Sequence, residues 1–341
     1  MGNSLCRNYR QRRRDWAHGT GGFVSALRLF PIADCGESGF MKSNSASFAQ
    51  LLSSAQQGDQ PALARLLTVL EAEGPKLLAQ FPELLKPSRL AFRVGITGPP
   101  GAGKSTLISR LIGEWRSRGL KVGVLAVDPS SPFSQGAILG DRIRYTDFAT
   151  DREVFIRSLG TRGSTGGLSA SAWLMVRAFD VAGFDVVLME TVGVGQNELE
   201  IMNVADHVSV VLTPESGDGV QGMKAGLMEI ARLFVVNKAD RPDAERFQRE
   251  LEAALEYDTE PRSVLRVSAL NGQGVQELAQ ALEAERVKGT WKSERNSRSR
   301  FQAEARALLM IDADRKARAR ASQIETPADF AALMGEMKSW S

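Results

Sequence analysis

The chain has 341 residues, 43% of them hydrophobic, which is enough for one large core with appended segments. Its formal net charge of +3 suggests neither a nucleic-acid partner nor a membrane surface. No stretch approaches the roughly eighteen consecutive apolar residues that a membrane span needs. Both cysteines, Cys6 and Cys35, lie near the start, so no disulfide framework or cysteine-rich metal site organises the rest. We therefore expect a cytoplasmic protein.

The first 40 residues differ from the rest in composition. The start, MGNSLCRNYRQRRR, is rich in arginine and nearly free of acids, but it lacks the apolar core of a secretory signal. A transit peptide would fit this composition and would place the protein in the mitochondrial matrix. Alternatively, residues 1–40 are a disordered or non-native extension, and the working protein starts at Met41.

Residues 41–90 are expected to form a helical segment with amphipathic helices at 46–57 and 61–72. Asp59 can cap the second helix, and Gly74 follows its end. The apolar residues that recur at helical spacing in this helix are Leu63, Leu66, Leu67 and Leu70.

Short, nearly continuously apolar segments then alternate with helical patterns over residues 91–288. These strand candidates are 91–98, 121–128, 184–191, 207–214, 233–240 and 263–270. Strands of this kind are buried on both faces, and helical crossovers between them imply a parallel sheet covered on both sides. The predicted fold class is therefore α/β, with a doubly wound, mostly parallel sheet.

Residues 289–341 change in composition to arginine, alanine, glutamate and leucine, which is typical of a helical arm. An apolar stripe is predicted for this arm at Phe301, Ala305, Leu308 and Leu309. Such a helix could pack on its own domain or serve as a dimerisation arm, and both interpretations remain open.

Residues 98–105, GPPGAGKS, match the P-loop pattern G-x-x-x-x-G-K-[ST]. The match follows a predicted strand and precedes a helical pattern over 106–115, which is the context that a P-loop requires. Its glycines allow backbone N–H groups to point at a phosphate, Lys104 neutralises phosphate charge, and the Ser105 hydroxyl can bind Mg²⁺. The predicted phosphate-binding residues are Gly98, Pro99, Pro100, Gly101, Ala102, Gly103, Lys104, Ser105 and Thr106.

Carboxylates at strand ends are the candidates to hold Mg²⁺, which prefers hard oxygen ligands. Asp128 and Glu190 each close a predicted strand, and Asp141 lies in a glycine-rich loop between them. The carboxyl ends of parallel strands form the ligand crevice of such sheets. The predicted metal-binding residues are Ser105, Asp128, Asp141 and Glu190.

Glu190-Thr-Val-Gly193 stands where many G proteins have Asp-x-x-Gly. The Gly193 amide would then meet the γ-phosphate and release the following loop after hydrolysis. Gln196 is a weak candidate to position the attacking water, so the intrinsic rate is expected to be low. The predicted catalytic residues are Lys104, Asp128, Asp141, Glu190 and Gly193.

Asn237-Lys-Ala-Asp240 lies at the end of another strand candidate and predicts a guanine site. The Asp240 carboxylate can accept two hydrogen bonds from guanine, and adenine offers no such donor pair. The Lys238 stem can cover the ring. The remaining predicted base-site residues are Asn237 and the next strand's Ser268, Ala269 and Leu270, where a backbone N–H could donate to guanine O6.

From about Met41 to Leu282, the chain resembles the methylmalonyl-CoA-mutase-associated GTPases. These are the MeaB-type G-protein chaperones of the SIMIBI class, some long labelled arginine/ornithine transport kinases. The resemblance is carried by GITGPPGAGKSTLI, AVDPSSPFSQGAILGDRIRY and METVGVGQNELE, among others. It implies that glutamate is the normal residue at position 190. It also implies nucleotide, metal and switch roles at the positions already named, and a C-terminal segment that mediates dimerisation.

The resemblance therefore implies a homodimeric GTPase that uses GTP, GDP and Mg²⁺. Its expected partner is an adenosylcobalamin-dependent acyl-CoA mutase, whose cofactor loading it gates and whose holoenzyme it protects. Three alternatives remain: a transport-linked kinase of the arginine/ornithine type, a metal-insertion GTPase, and a nucleotide-bound scaffold. With His18 and His207 as the only histidines, a nickel-handling site lacks ligands.

Overall fold

The computed structural model describes residues 45–128, 145–160, 167–191, 202–216, 229–256 and 262–324, together with residues 326, 329 and 333. Helices and strands are numbered below along this part of the chain. The predicted extension 1–40 lies outside the described residues.

From residue 45 onward, three helices precede the sheet: α1 (Ser45–Gln56), α2 (Gln60–Glu73) and α3 (Pro75–Gln80). The predicted pair of amphipathic helices is thus confirmed, with slightly different bounds. The Asp59 carboxylate caps α2 by accepting a 3.3 Å hydrogen bond from the Ala62 N–H, and the leucines at helical spacing are buried. At the start of α2, the Gln60 amide donates to the Val154 carbonyl at 2.9 Å, which ties this helical segment to the sheet.

The strands are β1 (Phe92–Thr97), β2 (Val122–Asp128), β3 (Val154–Gly160), β4 (Val186–Glu190), β5 (His207–Leu212), β6 (Leu233–Val236) and β7 (Ser263–Arg266). They form a seven-stranded sheet in the order β3-β2-β4-β1-β5-β6-β7, and every pair is parallel. The predicted doubly wound α/β fold is confirmed. Strands β2, β3 and β4 lie on one side of β1, and β5, β6 and β7 lie on the other side. The loop after β1 therefore opens at the topological switch point of the sheet, where such folds bind their ligands.

Helices cover both faces of this sheet. They are α4 (Lys104–Ser117), α5 (Gly167–Val181), α6 (Ala244–Leu255), α7 (Val275–Lys288) and α8 (Glu294–Ala321). The two faces of β4 pack against different helices. Val187 and Met189 pack with α1, α2 and α5, whereas Val186 and Leu188 pack with α4 and α7. Among the described helices, none is long and apolar enough to cross a bilayer.

The two edge strands depart from the sequence prediction. β3 was not predicted, because its polar residues Arg157 and Ser158 interrupt the apolar run. Arg157 instead forms a 2.8 Å ion pair with Glu71 of α2. β7 was predicted to be buried on both faces, and this was wrong: its two end residues are exposed. An edge strand pairs on one side only, so continuous apolarity identifies central strands better than edges.

α8 docks on its own domain mainly through a face other than the predicted apolar stripe. Glu304 and Ala307 are buried, whereas Phe301 is 51% and Leu309 70% exposed. Glu304 forms a buried, two-bond ion pair with Arg177 of α5, at 2.6 and 2.8 Å. The docking face of α8 thus combines this ion pair with small and apolar side chains, among them Ala307, that pack against the core of the domain.

His207 at the start of β5 makes stability depend on pH. It is buried, and its Nε2 has no hydrogen-bond partner in the described part of the chain. Burial lowers the pKa of His207 to about 4, although the negative charge of Glu285 partly raises it. Because this folded-state pKa lies below the ordinary value of 6.5, protonation of His207 favours the unfolded chain. The contribution of His207 to the free energy of unfolding is therefore fully present above pH 6.5 and is lost as the pH falls through 4.

We expect His207→Leu to remove this acid sensitivity. Wild-type unfolding free energy should fall by about 3 kcal/mol more than that of the variant between pH 6.5 and 4. Urea titrations of both proteins across this range measure the difference. Parallel pH profiles would show that His207 titrates normally in the folded protein.

Candidate functional site

The P-loop connects β1 to α4 at the centre of the sheet. Its first residue, Gly98, has φ +141°, and a Cβ there would collide with the carbonyl oxygen of Val211 on β5. Only glycine allows the loop to pass so close to the neighbouring strand. Lys104, the first residue of α4, is buried, and its ammonium donates to the carbonyl oxygens of Gly98 at 2.7 Å and Pro99 at 3.0 Å.

Asn237 joins the P-loop to the loop that follows β7. Its Nδ2 donates to the Ala102 carbonyl at 2.7 Å, and its Oδ1 accepts from the Ala269 N–H at 3.0 Å. Gly103 has φ +85°, and a Cβ there would lie 2.5 Å from Asn237 Nδ2. The structure therefore brings three predicted segments together, and both polar atoms of the Asn237 side chain are engaged in holding them.

Asp240 and Ser268 also meet, since the Ser268 hydroxyl donates to Asp240 Oδ1. Between Asn237 and Asp240, Lys238 has φ +59°, a left-handed backbone conformation that non-glycine residues rarely adopt. Its ammonium lies 3.8 Å from the Glu215 carboxylate. The loops after β6 and β7 thus form one surface beside the P-loop.

Arg110 supports this surface and was not foreseen from the sequence. It lies on α4, and its guanidinium donates to the carbonyl oxygens of Ala269 at 3.0 Å and Leu270 at 2.8 Å. These bonds hold the backbone of the loop after β7, while the Leu270 side chain remains 76% exposed. Nothing in the local sequence indicates Arg110, because its partners lie 159 and 160 residues away.

Ser105 and Glu190 meet at the phosphate side of the crevice. The Ser105 hydroxyl donates to Glu190 Oε1 at 2.5 Å, and the Tyr145 hydroxyl donates to Glu190 Oε2 at 2.6 Å. Glu190 is only 5% exposed, so its carboxylate stays within this polar cluster. Tyr145 was not among the predicted site residues.

The remaining predicted metal and switch residues are less fully described. In the sheet register, Glu190 is level with Ala126 of β2, and Asp128 ends that strand two residues further on. The Asp128 backbone therefore lies at the same edge of the sheet. Asp141, Gly193 and Gln196 lie outside the described residues.

The donors at this edge suit a hard cation. A serine hydroxyl and a carboxylate are oxygen ligands of the kind that Mg²⁺ binds, usually with one or two carboxylates, substrate phosphates and waters. Within the described ranges, no group of three or more His, Cys, Asp or Glu residues could hold a metal ion by itself. The Ser105 hydroxyl and the Glu190 carboxylate therefore fit a cation that also takes phosphate and water ligands.

A parallel sheet with a P-loop after its central strand, and with an Asn-Lys-x-Asp loop beside it, defines a P-loop GTPase that binds GTP and GDP. Residues 63–323 match the family described as Methylmalonyl Co-A mutase-associated GTPase MeaB. The chain belongs to this family.

Individual relatives agree with this membership. A relative in Pyrococcus horikoshii that is named as a GTPase is 42% identical over 285 residues, covering 81% of this chain and 90% of that protein. The GTPase ArgK of Escherichia coli is 38% identical, covering 70% of this chain and 76% of its own length. The crystal structure of an LAO/AO transport system kinase matches with a TM-score of 0.63 at 27% identity, covering 86% of this chain and 99% of that one.

A mitochondrial protein also matches. The methylmalonic aciduria type A homolog of Caenorhabditis elegans is 35% identical over 256 residues. The match covers 68% of this chain and 64% of that protein. The relatives of this chain thus include one that is named as mitochondrial.

Proposed function

We propose that this GTPase is a chaperone of an adenosylcobalamin-dependent acyl-CoA mutase, such as methylmalonyl-CoA mutase. It would gate cofactor loading and protect the holoenzyme through its GTP cycle. The observation that carries this proposal is the family match over residues 63–323, which spans the nucleotide crevice and all of α8. The name of the Caenorhabditis elegans relative supports the same association. We propose the cytoplasm as its compartment.

At the nucleotide, we propose that Gly98 to Thr106 bind the phosphates and that Lys104 neutralises the β- and γ-phosphate charge. Asp240 would read the guanine, with Lys238 over the ring and an N–H of Ser268 to Leu270 facing O6. The buried Lys104 and the Ser268 bond to Asp240 support this division, because both charged groups are already held beside the crevice.

For the metal, we propose that Ser105, Asp128, Asp141 and Glu190 hold Mg²⁺ directly or through water. The bound cation would neutralise phosphate charge during hydrolysis. The chain's own residues would do the rest: the P-loop fixes the phosphates, Lys104 stabilises developing charge, and the Gly193 amide senses the γ-phosphate. The Ser105–Glu190 contact supports this assignment.

We also propose that the protein is a homodimer joined through α8. Phe301, Leu309 and Met310 are each about half exposed or more on this helix, which is unusual for large apolar side chains on a charged helix. Sedimentation of wild type and Leu309→Glu would test the proposal. A wild-type monomer at micromolar concentration would contradict it.

The mutase association is tested with purified adenosylcobalamin-dependent methylmalonyl-CoA mutase. We expect a complex whose affinity differs between GDP and a non-hydrolysable GTP analogue, and a GTPase rate that changes when mutase is added. Asp240→Ala, which should not bind guanine nucleotides, serves as the control for nucleotide dependence. Absence of both complex formation and rate change would contradict the proposal.

Base recognition predicts a change of specificity in Asp240→Asn. The amide can donate to the C2 carbonyl of xanthine, where the carboxylate accepted from the guanine amine. We expect the ratio of GDP to XDP affinity to fall by roughly a hundredfold, the scale of a lost buried polar pair. Competition against fluorescent nucleotides measures this ratio. The control is Asp243→Asn, three residues away at the N-terminus of α6, which should leave the ratio of GDP to XDP affinity unchanged. An unchanged ratio in Asp240→Asn would place the base site elsewhere.

A further inference from the structure

Tyr145 is a buried residue that the site chemistry described so far does not use. Its side chain is 1% exposed, and its ring belongs to the apolar cluster formed with α4 and α7. The ring is therefore fixed by packing, and its hydroxyl is presented at a fixed point. That point is 2.6 Å from Glu190 Oε2, across 45 residues of sequence.

The two oxygens of Glu190 have different donors. Oε1 accepts from the P-loop Ser105, at 2.5 Å, and Oε2 accepts from Tyr145. A carboxylate held at both oxygens cannot rotate about its terminal bond without losing a charge-assisted hydrogen bond. With Tyr145 bonded to Oε2, Oε1 is directed toward Ser105 and the P-loop.

The location of Tyr145 adds a second connection. It follows Asp141 by four residues, and the 3₁₀ turn Thr146–Phe148 begins directly after it. A core-packed residue close in sequence to Asp141 thus contacts the carboxylate that closes β4. Supporting residues of this kind orient metal-binding groups, and their loss typically costs about 10- to 100-fold in metal affinity or activity.

We propose that Tyr145 is a positioning residue, which orients the Glu190 carboxylate for the Mg²⁺ that accompanies the nucleotide. The inference rests on the proposed metal role of Glu190. In a purely structural role, Tyr145 would only satisfy its own buried hydroxyl, as buried tyrosines usually do. The two roles differ in one measurable respect: only positioning links Tyr145 to the Mg²⁺ dependence of nucleotide binding.

The test compares wild type, Tyr145→Phe, Glu190→Gln and the double variant. Fluorescent GDP is titrated at a series of Mg²⁺ concentrations, which gives the half-saturating Mg²⁺ concentration without relying on turnover. Thermal unfolding without nucleotide or Mg²⁺ is measured in parallel. Val122→Ala is the control, because it truncates the same apolar cluster at the amino end of β2, far from the carboxyl edge.

We expect Tyr145→Phe to raise the half-saturating Mg²⁺ concentration by roughly tenfold, while GDP affinity without Mg²⁺ stays close to wild type. Glu190→Gln should raise it at least as far, and adding Tyr145→Phe to Glu190→Gln should change it no further. Val122→Ala should lower thermal stability but leave the Mg²⁺ dependence unchanged.

Each contrary result has a distinct meaning. If Tyr145→Phe matches wild type in Mg²⁺ dependence while Glu190→Gln does not, positioning by Tyr145 is overturned and the metal site stands. If Glu190→Gln has no effect, both the metal role of Glu190 and the inference are overturned. If Val122→Ala shifts Mg²⁺ dependence as much as Tyr145→Phe, the effect is one of stability. Wild-type protein that binds no GDP would instead overturn the proposed nucleotide site.

Discussion

Lys104→Ala should weaken GTP binding by roughly a thousandfold, because two charge-assisted contacts to phosphate, each worth about 2 kcal/mol, are lost together. GDP lacks the γ-phosphate and should lose one such contact, which is roughly a thirtyfold effect. The lysine is buried at the start of α4, beside carbonyl oxygens of the P-loop. An ammonium held there has been desolvated during folding, so little further desolvation opposes its contact with phosphate. Hydrolysis should fall with binding.

Isothermal titration with GDP in the presence of Mg²⁺ measures the loss. The matched control is Lys288→Ala, which removes a 62% exposed lysine at the end of α7 and should bind GDP like wild type. Because Lys104 also bonds to Gly98 and Pro99, urea unfolding of nucleotide-free protein must show that the variant is folded. A folded variant with GDP affinity within a few-fold of wild type would remove Lys104 from the phosphate site.

The sequence predicted the elements whose signals are local. The P-loop lies within nine consecutive residues between a strand and a helix, and the structure has β1 and α4 where the sequence placed them. Central strands were recognised because burial on both faces requires continuous apolarity. Segments that follow β1, β4, β6 and β7 could be placed together because parallel strands end at one edge of the sheet.

The supporting contacts could not be predicted in the same way, because they join residues that are distant in sequence. Tyr145 reaches Glu190 across 45 residues, and Arg110 reaches Leu270 across 160. A lone tyrosine or a helical arginine carries no pattern of its own, so only the folded arrangement identifies such residues. The sequence also missed the face of α8 that docks, and one of the contacts on that face is an ion pair spanning 127 residues.

The ion pair between Arg177 and Glu304 gives the second large effect, in stability. Both side chains are about 5% exposed, and Arg177 also donates to the Leu85 carbonyl at 3.1 Å. Burial lowers the pKa of Arg177, but the bond to Glu304 and its charge outweigh this and leave the pKa raised. Glu304→Ala would leave the guanidinium buried without its carboxylate, so we expect a loss of about 3 to 5 kcal/mol in unfolding free energy.

A second variant separates charge from packing. Replacing both partners, in Arg177→Met with Glu304→Leu, removes the charges together and should restore most of the stability, because well-packed apolar pairs often match buried ion pairs. The control is Asp314→Ala, which removes a partly exposed partner of Arg318 on the same helix and should cost under about 1 kcal/mol.

Urea unfolding measures the global effect, and limited trypsin digestion within α8 detects local undocking of that helix. Local undocking matters because α8 packs on α5, the helix that leads into β4 and hence to Glu190. If Glu304→Ala frees α8 without unfolding the sheet, cleavage in α8 should accelerate while GDP binding persists. If Glu304→Ala loses no more stability than Asp314→Ala, α8 docks by its apolar contacts alone and the ion pair contributes little.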